Sequence, residues 1–213
     1  MNLLDYLQQY FLSRAELVRA ALIDDATLAD LQARGAVPQP SYLLKMDIDC
    51  TSFFGRHAEH ALQQYYAVGC VAWIAAISGA SASPYQVFAD RYRASLDALR
   101  ADGIVSGDVK LNAGLGEYLK TEWAYFLDGT YGLCTRTGLP EQIAAKEVAV
   151  AIIKEMTENL AGRVLSPGER RRLARAVDLL DAASAPFAPH EVERSSRRRL
   201  VTDVRAAYLS GNC

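Results

Sequence analysis

The sequence has 213 residues, of which 51% are hydrophobic and 23% are charged, and its formal net charge is −2. This composition is typical of a folded protein of one or two domains, and it excludes intrinsic disorder, a collagen-like chain and a small disulfide scaffold. The slightly acidic balance also argues against a protein that binds polyanions over its whole surface.

The start of the chain, Met1 to Tyr6, lacks the basic segment, apolar run and cleavage site of a signal peptide. The longest apolar stretch, Ala67 to Ile77, is shorter than the roughly 20 residues that span a bilayer. Four cysteines are spread along the chain without metal-ligand spacing, which predicts free thiols in a reducing compartment. We therefore expect a soluble cytoplasmic protein without a membrane partner.

Residues 1–50 predict a small helical module. Ser13 and Glu16 form a capping box that opens one short helix, and Asp24 or Asp25 caps the next. The segment from Tyr42 to Asp49 then alternates apolar and polar side chains, and it is the one predicted strand region.

The two short helices of this module, followed by the extended Pro38 to Tyr42, resemble the helix-turn-helix of MerR-type regulators. In that motif the second helix enters the major groove and basic groups hold the phosphates. The second helix predicted here has Arg34 as its only cation, and residues 1–42 carry three Arg against five acidic residues. That charge has the wrong sign for phosphate contact, so we expect no nucleic-acid binding.

Residues 51–213 predict a larger helical domain. The pattern turns helical from about Ser52, and Ala61 to Ala89 contains no charged residue, so a helix around Trp73 is expected at the centre of the core. Further helices are predicted to start at Ser83–Pro84, Gly116, Pro140 and Ser166–Pro167, with a last helix ending near Leu209. The fold class predicted is mainly α, with a helix-turn-helix-like module packed on a multi-helix domain and at most one short strand region.

A weak candidate metal site consists of His57 and His60. Three positions apart on a helix, the two imidazoles would share a face, with Glu59 between them as a carboxylate ligand. The alternative is that both histidines hydrogen-bond to backbone groups at the start of a helix.

The segment from Trp123 to Arg136 carries the strongest candidate for chemistry. Cys134 follows a loop with two glycines and stands beside Arg136, shortly before the helix start at Pro140. A cation and a helix N-terminus lower a thiol pKa, as nucleophilic catalysis requires. The alternative is a buried cysteine that acts as a small apolar residue in an interhelical loop.

Two further polar groups fall on apolar helix stripes. Glu122 lies near the stripe of its helix, where a partly buried carboxyl can act as a general acid or base. Arg197 lies on the stripe of the last helix, with His190 on the same line, and it either pairs with an acidic residue or binds an anion. We therefore predict one cleft, with Cys134, Glu122 and His190 as catalytic residues and Tyr131, Trp123 and Arg197 as substrate-binding residues.

Several segments together resemble an uncharacterised bacterial family described as natural product biosynthesis proteins. These segments are 38–42, 53–55 (Phe53-Phe54-Gly55), 129–135, the helix start at 141–147, and 187–191 with 195–197. The resemblance spans nearly the whole chain, and it implies a biosynthetic setting and a domain of unknown function but no reaction.

The sequence contains no glycine-rich dinucleotide motif, phosphate-binding lysine loop, nucleophile elbow or zinc-protease motif, so we expect no cofactor. The predicted function is a cytoplasmic biosynthetic protein with an internal pocket for a small molecule or peptide. Two roles stay open for such a protein: a cofactor-independent tailoring enzyme that uses acid–base or thiol chemistry, or an accessory subunit. The alternatives are a MerR-like regulator and a non-catalytic partner protein of a tailoring enzyme in the same pathway.

Overall fold

A computed structural model of the chain describes residues 1–158 and 165–210. Helices dominate it, and a small sheet lies near the N-terminus. The helices are α1 (Leu3–Tyr10), α2 (Arg14–Ala20), α3 (Asp25–Ala33), α4 (Cys70–Ser78), α5 (Pro84–Ala101), α6 (Leu115–Leu127), α7 (Thr130–Cys134), α8 (Pro140–Glu158) and α9 (Pro167–Ala183). The strands are β1 (Phe11–Ser13), β2 (Tyr42–Ser52) and β3 (Gly55–Ala67), and short helical turns lie at Val109–Leu111, Val192–Arg194, Arg198–Thr202 and Arg205–Leu209.

The helix starts read from the sequence are confirmed for α2 and α3. The Ser13 backbone N–H donates to Glu16 Oε2 at 2.8 Å, and Asp24 Oδ1 accepts from the Thr27 N–H at 2.7 Å. Both helices turn a fully buried leucine, Leu17 and Leu28, into the main core. The helix-turn-helix interpretation of the pair is not confirmed.

A long β-hairpin corrects the prediction of a helix from Ser52 and of at most one short strand. Antiparallel pairing runs from Tyr42 opposite Tyr65 to Ser52 opposite Gly55, and β1 adds a third strand in the order β1-β3-β2. The β3 sequence is rich in Ala, Leu, Gln and Glu, which locally favour a helix. Pairing with β2 overrides that preference, and Gly55, with φ of 115°, permits the tight turn.

The buried position of Trp73 is confirmed, although its helix is shorter than predicted. The indole lies in α4 with no exposed surface, and its Nε1–H donates to the Ala36 carbonyl at 2.8 Å. Its ring lies 4.8 Å from the ring of Phe126. Tyr65, which the sequence placed in the same helix, belongs to β3.

Helices α5, α8 and α9 begin where the sequence predicts, whereas α7 lies in the segment predicted as a loop, and short turns at Arg198–Thr202 and Arg205–Leu209 replace the predicted last helix. Ser83 caps α5 ahead of Pro84, α8 begins at Pro140, and Ser166 forms a capping box with Glu169 at the start of α9. Helix α8 packs between α5 and α9 and contributes buried side chains on several faces. The protein is therefore mainly α, and no helix among residues 1–158 and 165–210 has the length and apolar character that crossing a bilayer requires.

Candidate small-molecule site

A pocket of about 200 Å³ lies where the N-terminal aromatic residues meet the end of α7 and the end of α9. Aromatic rings form one wall and a polar segment with two arginines forms the other. The lining residues are Tyr6, Tyr10, Phe11, Ala67, Gly132, Thr135, Arg136, Ala185, Pro186 and Arg197. We call this space the junction pocket.

The aromatic wall is built by α1 and β1. Tyr6 and Tyr10 are four residues apart and share a face of α1, and their ring centroids lie 5.2 Å apart. The ring of Phe11 is 5.8 Å from that of Tyr6 and 5.0 Å from that of Tyr42, so these rings form a second, smaller core. Burial raises the pKa of the Tyr6 phenol to about 12, so this group stays neutral at physiological pH.

The glycines of the loop singled out by the sequence bring the opposite wall into place. A Cβ on Gly132 would collide with the Ser41 hydroxyl and lie 3.0 Å from the Cβ of Ala67, so only glycine lets α7 sit against β3. Gly129 has φ of 78° and packs on the backbone of Gln39 and Pro40. Gly132 therefore allows α7 to pack closely against β3, and it also forms part of the pocket surface.

Backbone hydrogen bonds hold this loop against the end of α9. The Arg136 N–H donates to the Ala183 carbonyl at 3.0 Å, and the Ala185 N–H donates to the Cys134 carbonyl at 3.3 Å. The buried Thr135 hydroxyl donates to the Tyr131 carbonyl at 2.7 Å and accepts from the Gly138 N–H at 2.9 Å. Since each of these groups is satisfied, this wall of the pocket is pre-organised.

Both charged side chains among the lining residues are guanidinium groups. Arg197 forms an ion pair of 2.5 Å with Asp181, and Arg205 reaches the same carboxylate at 2.9 Å. Burial by itself would raise the pKa of Asp181, but the guanidinium groups of Arg205 and Arg197 hold it below its ordinary value. Arg136 donates to the Ala182 carbonyl at 2.7 Å, so its charge is not neutralised by that partner.

A second polar feature, the Glu122 cluster, lies where α6, α7 and α8 meet. Here the Tyr131 hydroxyl donates to Glu122, which is 2% exposed, and the Tyr118 hydroxyl donates to Glu147 at 2.8 Å. Lys146 donates to Glu147 at 2.9 Å, and its ammonium lies 5.7 Å from the centre of the Tyr131 ring. These polar contacts connect α6, α7 and α8. The cluster consists of Glu122, Tyr131, Tyr118, Glu147 and Lys146.

The Glu122 carboxyl has an unusual protonation equilibrium. Burial raises its pKa to about 7, the Tyr131 hydroxyl acts in the opposite direction, and the neighbouring charge of Glu147 raises the pKa further. A carboxyl that titrates near neutral pH can exchange protons there, as the sequence argument for an acid or base required.

Cys134 does not have the lowered thiol pKa that the sequence suggested. Burial raises the pKa of this thiol, and the charge of Lys146 opposes that effect only in part. Arg136, the cation expected to activate it, points instead to the Ala182 carbonyl. The thiol lies 3.5 Å from the Thr130 carbonyl oxygen, and its environment is that of a structural cysteine.

The predicted cleft is brought together in part. Glu122 and Tyr131 are bonded to each other, while Arg197 lines the junction pocket together with residues that follow Cys134. His190 is 61% exposed and lies 3.7 Å from Glu191, which accepts a hydrogen bond from Tyr42. Trp123 packs among core rings, with the Phe88 ring 5.3 Å away.

The histidine pair is not arranged as a helix face. His57 and His60 lie on β3, where positions three apart point to opposite faces. His57 contacts Glu59 at 3.3 Å, and His60 contacts Asp47 at 2.5 Å across the hairpin. Within the described residues, no group of three or more His, Cys, Asp or Glu side chains is placed to hold a metal ion. Cys213 lies outside those residues.

Sequence reasoning missed two contributions. Tyr6, Tyr10 and Phe11 line the pocket, but nothing in the linear order connects them with residue 197. Lys146 and Glu147 lie in the long helix α8, and their side chains are only 12% and 19% exposed. One sequence signal for this burial was available, because the two charged residues lie between the apolar Ala144 and Val148, which are both buried.

A model of a protein family described as a family of unknown function, DUF6058, matches residues 84–209. The chain belongs to this family. The DUF6058 region contains the Glu122 cluster and the arginine wall of the junction pocket, whereas the aromatic wall lies in the preceding residues. Comparisons with curated proteins and with solved structures found no match.

Proposed function

We propose that this DUF6058 protein binds a small aromatic or otherwise apolar carboxylic acid in the junction pocket. The observation that carries the proposal is the lining of the pocket, which has the rings of Tyr6, Tyr10 and Phe11 on one side and Arg136 and Arg197 on the other. Rings take up the apolar body of such a ligand, and guanidinium groups orient its carboxylate.

Binding suits this pocket better than catalysis does. Its polar side chains are phenols, a threonine hydroxyl and guanidinium groups, which can orient an anion, and among the described residues its lining includes no imidazole, carboxyl or thiol group. The sequence resemblance implies a biosynthetic setting. In that setting we propose a cofactor-independent accessory role, in which the protein presents or sequesters an acid for a separate tailoring enzyme.

Calorimetry with phenylacetate and with its neutral analogue phenylacetamide tests the proposal. We expect the parent protein to bind phenylacetate and to bind the amide at least about tenfold more weakly, because the amide lacks the charge that the guanidinium groups meet. Arg197→Gln and Arg136→Gln are each expected to weaken phenylacetate binding about 10- to 100-fold.

Arg199→Gln is the matched control, because this exposed arginine is two residues from Arg197 but does not line the pocket. Its affinity for phenylacetate should equal that of the parent. Equal binding of the acid and the amide, or unchanged affinity in both pocket variants, would overturn the proposal. Thermal melts of all three variants establish that each is folded at the assay temperature.

A further inference from the structure

The hairpin of β2 and β3 extends well beyond the sheet that anchors it. The third strand, β1, pairs only with Tyr65, Tyr66 and Ala67 at the base of β3. From Gln64 to the turn the hairpin is a two-stranded ribbon, and among the described residues β2 pairs with β3 alone. One edge of β2 is therefore unpaired along its whole length.

The two faces of this ribbon differ in chemistry. Directly opposed residues share a face, so the apolar Leu44, Met46 and Ile48 of β2 lie on one side, opposite Gln63, Ala61 and Glu59 of β3. The other side carries Lys45, Asp47 and Asp49 together with the exposed Leu43 and Leu62; Asp47 contacts His60, and Asp49 pairs with Arg56. The apolar side continues directly from Tyr42 and Tyr65 of the N-terminal core.

The turn of the hairpin is the most exposed apolar surface of the described chain. Phe53 and Phe54 are 98% and 96% exposed, and their rings pack edge to face with centroids 5.4 Å apart. A two-stranded ribbon with both faces in water is at best marginally stable, and an uncovered edge strand tends to pair with another strand. These properties indicate that the ribbon is covered in the functional assembly.

We infer that the partner is a second copy of this chain, and that the two β2 strands pair antiparallel around a twofold axis at Met46. In this register each Met46 faces its copy, and Leu44 lies opposite Ile48 of the second copy. The apolar stripes of the two chains then join on one face. The product is a continuous six-stranded sheet with the strand order β1-β3-β2-β2-β3-β1.

Charge complementarity favours this register over those with the axis at Lys45, Asp47 or Ile48. With the axis at Met46, Lys45 lies opposite Asp47 of the second copy, and the pair occurs twice. An axis at Lys45 or at Asp47 would place that residue against its own copy, and an axis at Ile48 would place Asp47 against Asp49. Like charges directly opposite one another destabilise a sheet, whereas opposite charges stabilise it. No ion pair within the described residues uses Lys45, so its ammonium is free for this contact.

The same register also determines where the turn with Phe53 and Phe54 lies on the second copy. Counting from the axis at Met46, Phe53 and Phe54 fall opposite positions 39 and 38 of the second copy, just before the start of its β2. The turn therefore reaches the body of the other chain, where Pro38 and Pro40 lead from α3 into the hairpin. In this dimer each ribbon lies against the other copy, and the exposed area of Phe53 and Phe54 decreases.

Analytical ultracentrifugation of the full chain with charge-swap variants tests this inference. The parent is expected to sediment as a dimer at micromolar concentration. Lys45→Glu and Asp47→Lys each place like charges across the interface, and each should raise the dissociation constant at least about tenfold. The double variant with both substitutions restores opposite charges and should return the dimer. Arg19→Glu, on the exposed face of α2, should sediment as the parent does.

A crosslink locates the axis independently of affinity. In a Cys50→Ser background, Met46→Cys should form a disulfide-linked dimer on oxidation, because Cα atoms of directly opposed residues lie about 4.5–5.5 Å apart. Thr51→Cys in the same background should not crosslink, since its copy lies ten positions away along the paired strand. A parent that remains a monomer at 100 μM would overturn the inference. So would a dimer whose dissociation constant is unchanged in each of the two single charge-reversal variants, or a monomer that sediments with phospholipid vesicles through Phe53 and Phe54.

Discussion

At the scale of single residues, the Glu122 carboxyl is a buried acid whose pKa is raised. It lies in the core between α6 and α7, where the phenol of Tyr131 donates to it. Burial favours the neutral form, and the phenol donor only partly compensates for the lost hydration of the charged form. The folded protein therefore takes up a proton at this site in a pH range where the unfolded chain has already released it.

This protonation predicts a pH-dependent stability that Glu122→Gln should remove. The folded pKa of about 7 lies above the ordinary value of 4.5, so the favourable contribution is complete below pH 4.5 and is lost as the pH rises through 7. Between these limits we expect the parent to lose up to about 3 kcal/mol relative to Glu122→Gln. Urea unfolding midpoints measured from pH 4.5 to pH 8 give the difference.

Glu117→Gln, on the same helix with a side chain that is 83% exposed, controls for the loss of a charge from α6. Its stability should follow the parent at every pH. Parallel profiles for the parent and Glu122→Gln would instead show that the Glu122 carboxyl titrates at its ordinary pKa.

At the scale of elements, α4 is short but central. It has nine residues, and its Trp73 contacts rings of α6 while its indole N–H reaches the loop after α3. The helix thereby connects the N-terminal segment with the DUF6058 region. Most of its stabilising contribution is expected to come from this one side chain, because aromatic side chains dominate core burial.

Trp73→Ala is expected to lower the free energy of unfolding by about 3–5 kcal/mol, as truncation of a buried aromatic side chain usually does. Tyr125→Ala, which removes a ring that is 48% exposed on α6, should cost less than about 1 kcal/mol. Guanidinium chloride titrations followed by circular dichroism measure both. A Trp73→Ala midpoint close to that of the parent would contradict a central role for α4.

At the scale of the whole molecule, the main core contains residues from both sides of residue 84, where the family match begins. Leu17, Leu28 and Trp73 precede residue 84, yet they belong to the same buried cluster as Phe88 and Phe126. Residue 50, where the sequence analysis placed a boundary, lies within β2. The matched region therefore depends on the preceding residues to cover its aromatic side chains.

From this shared core we predict that a chain of residues 84–210 does not fold alone. Without Trp73, which packs against both rings, Trp123 and Phe126 would present a contiguous apolar surface to water. Expression of this fragment should give aggregated protein without a cooperative thermal transition. A chain in which residues 46–61 are replaced by a two-residue turn that joins Lys45 to Leu62 should fold normally, since that ribbon lies outside both cores. A soluble 84–210 fragment with a cooperative melt would contradict the prediction.

Much of the helical architecture could be predicted because it depends on local signals. Caps such as Ser13, Asp24 and Ser166 satisfy backbone N–H groups of their own helices, so nearby residues alone reveal the helix starts. The burial of Trp73 followed from the surrounding charge-free segment. For the candidate site, the glycine loop and Arg197 were recognised, the first through its unusual composition and the second through its place on an apolar stripe.

The sequence by itself determined the mainly α class, the helix starts and the net charge, because these depend on neighbouring residues or on composition. The tertiary structure decided that residues 55–67 form a strand, since pairing with β2 outweighs a local helical preference. It also decided the thiol environment of Cys134 and the aromatic wall of the junction pocket. Both arise from residues distant in sequence, and the free energy of burying and pairing such groups is fixed only when the chain brings them together.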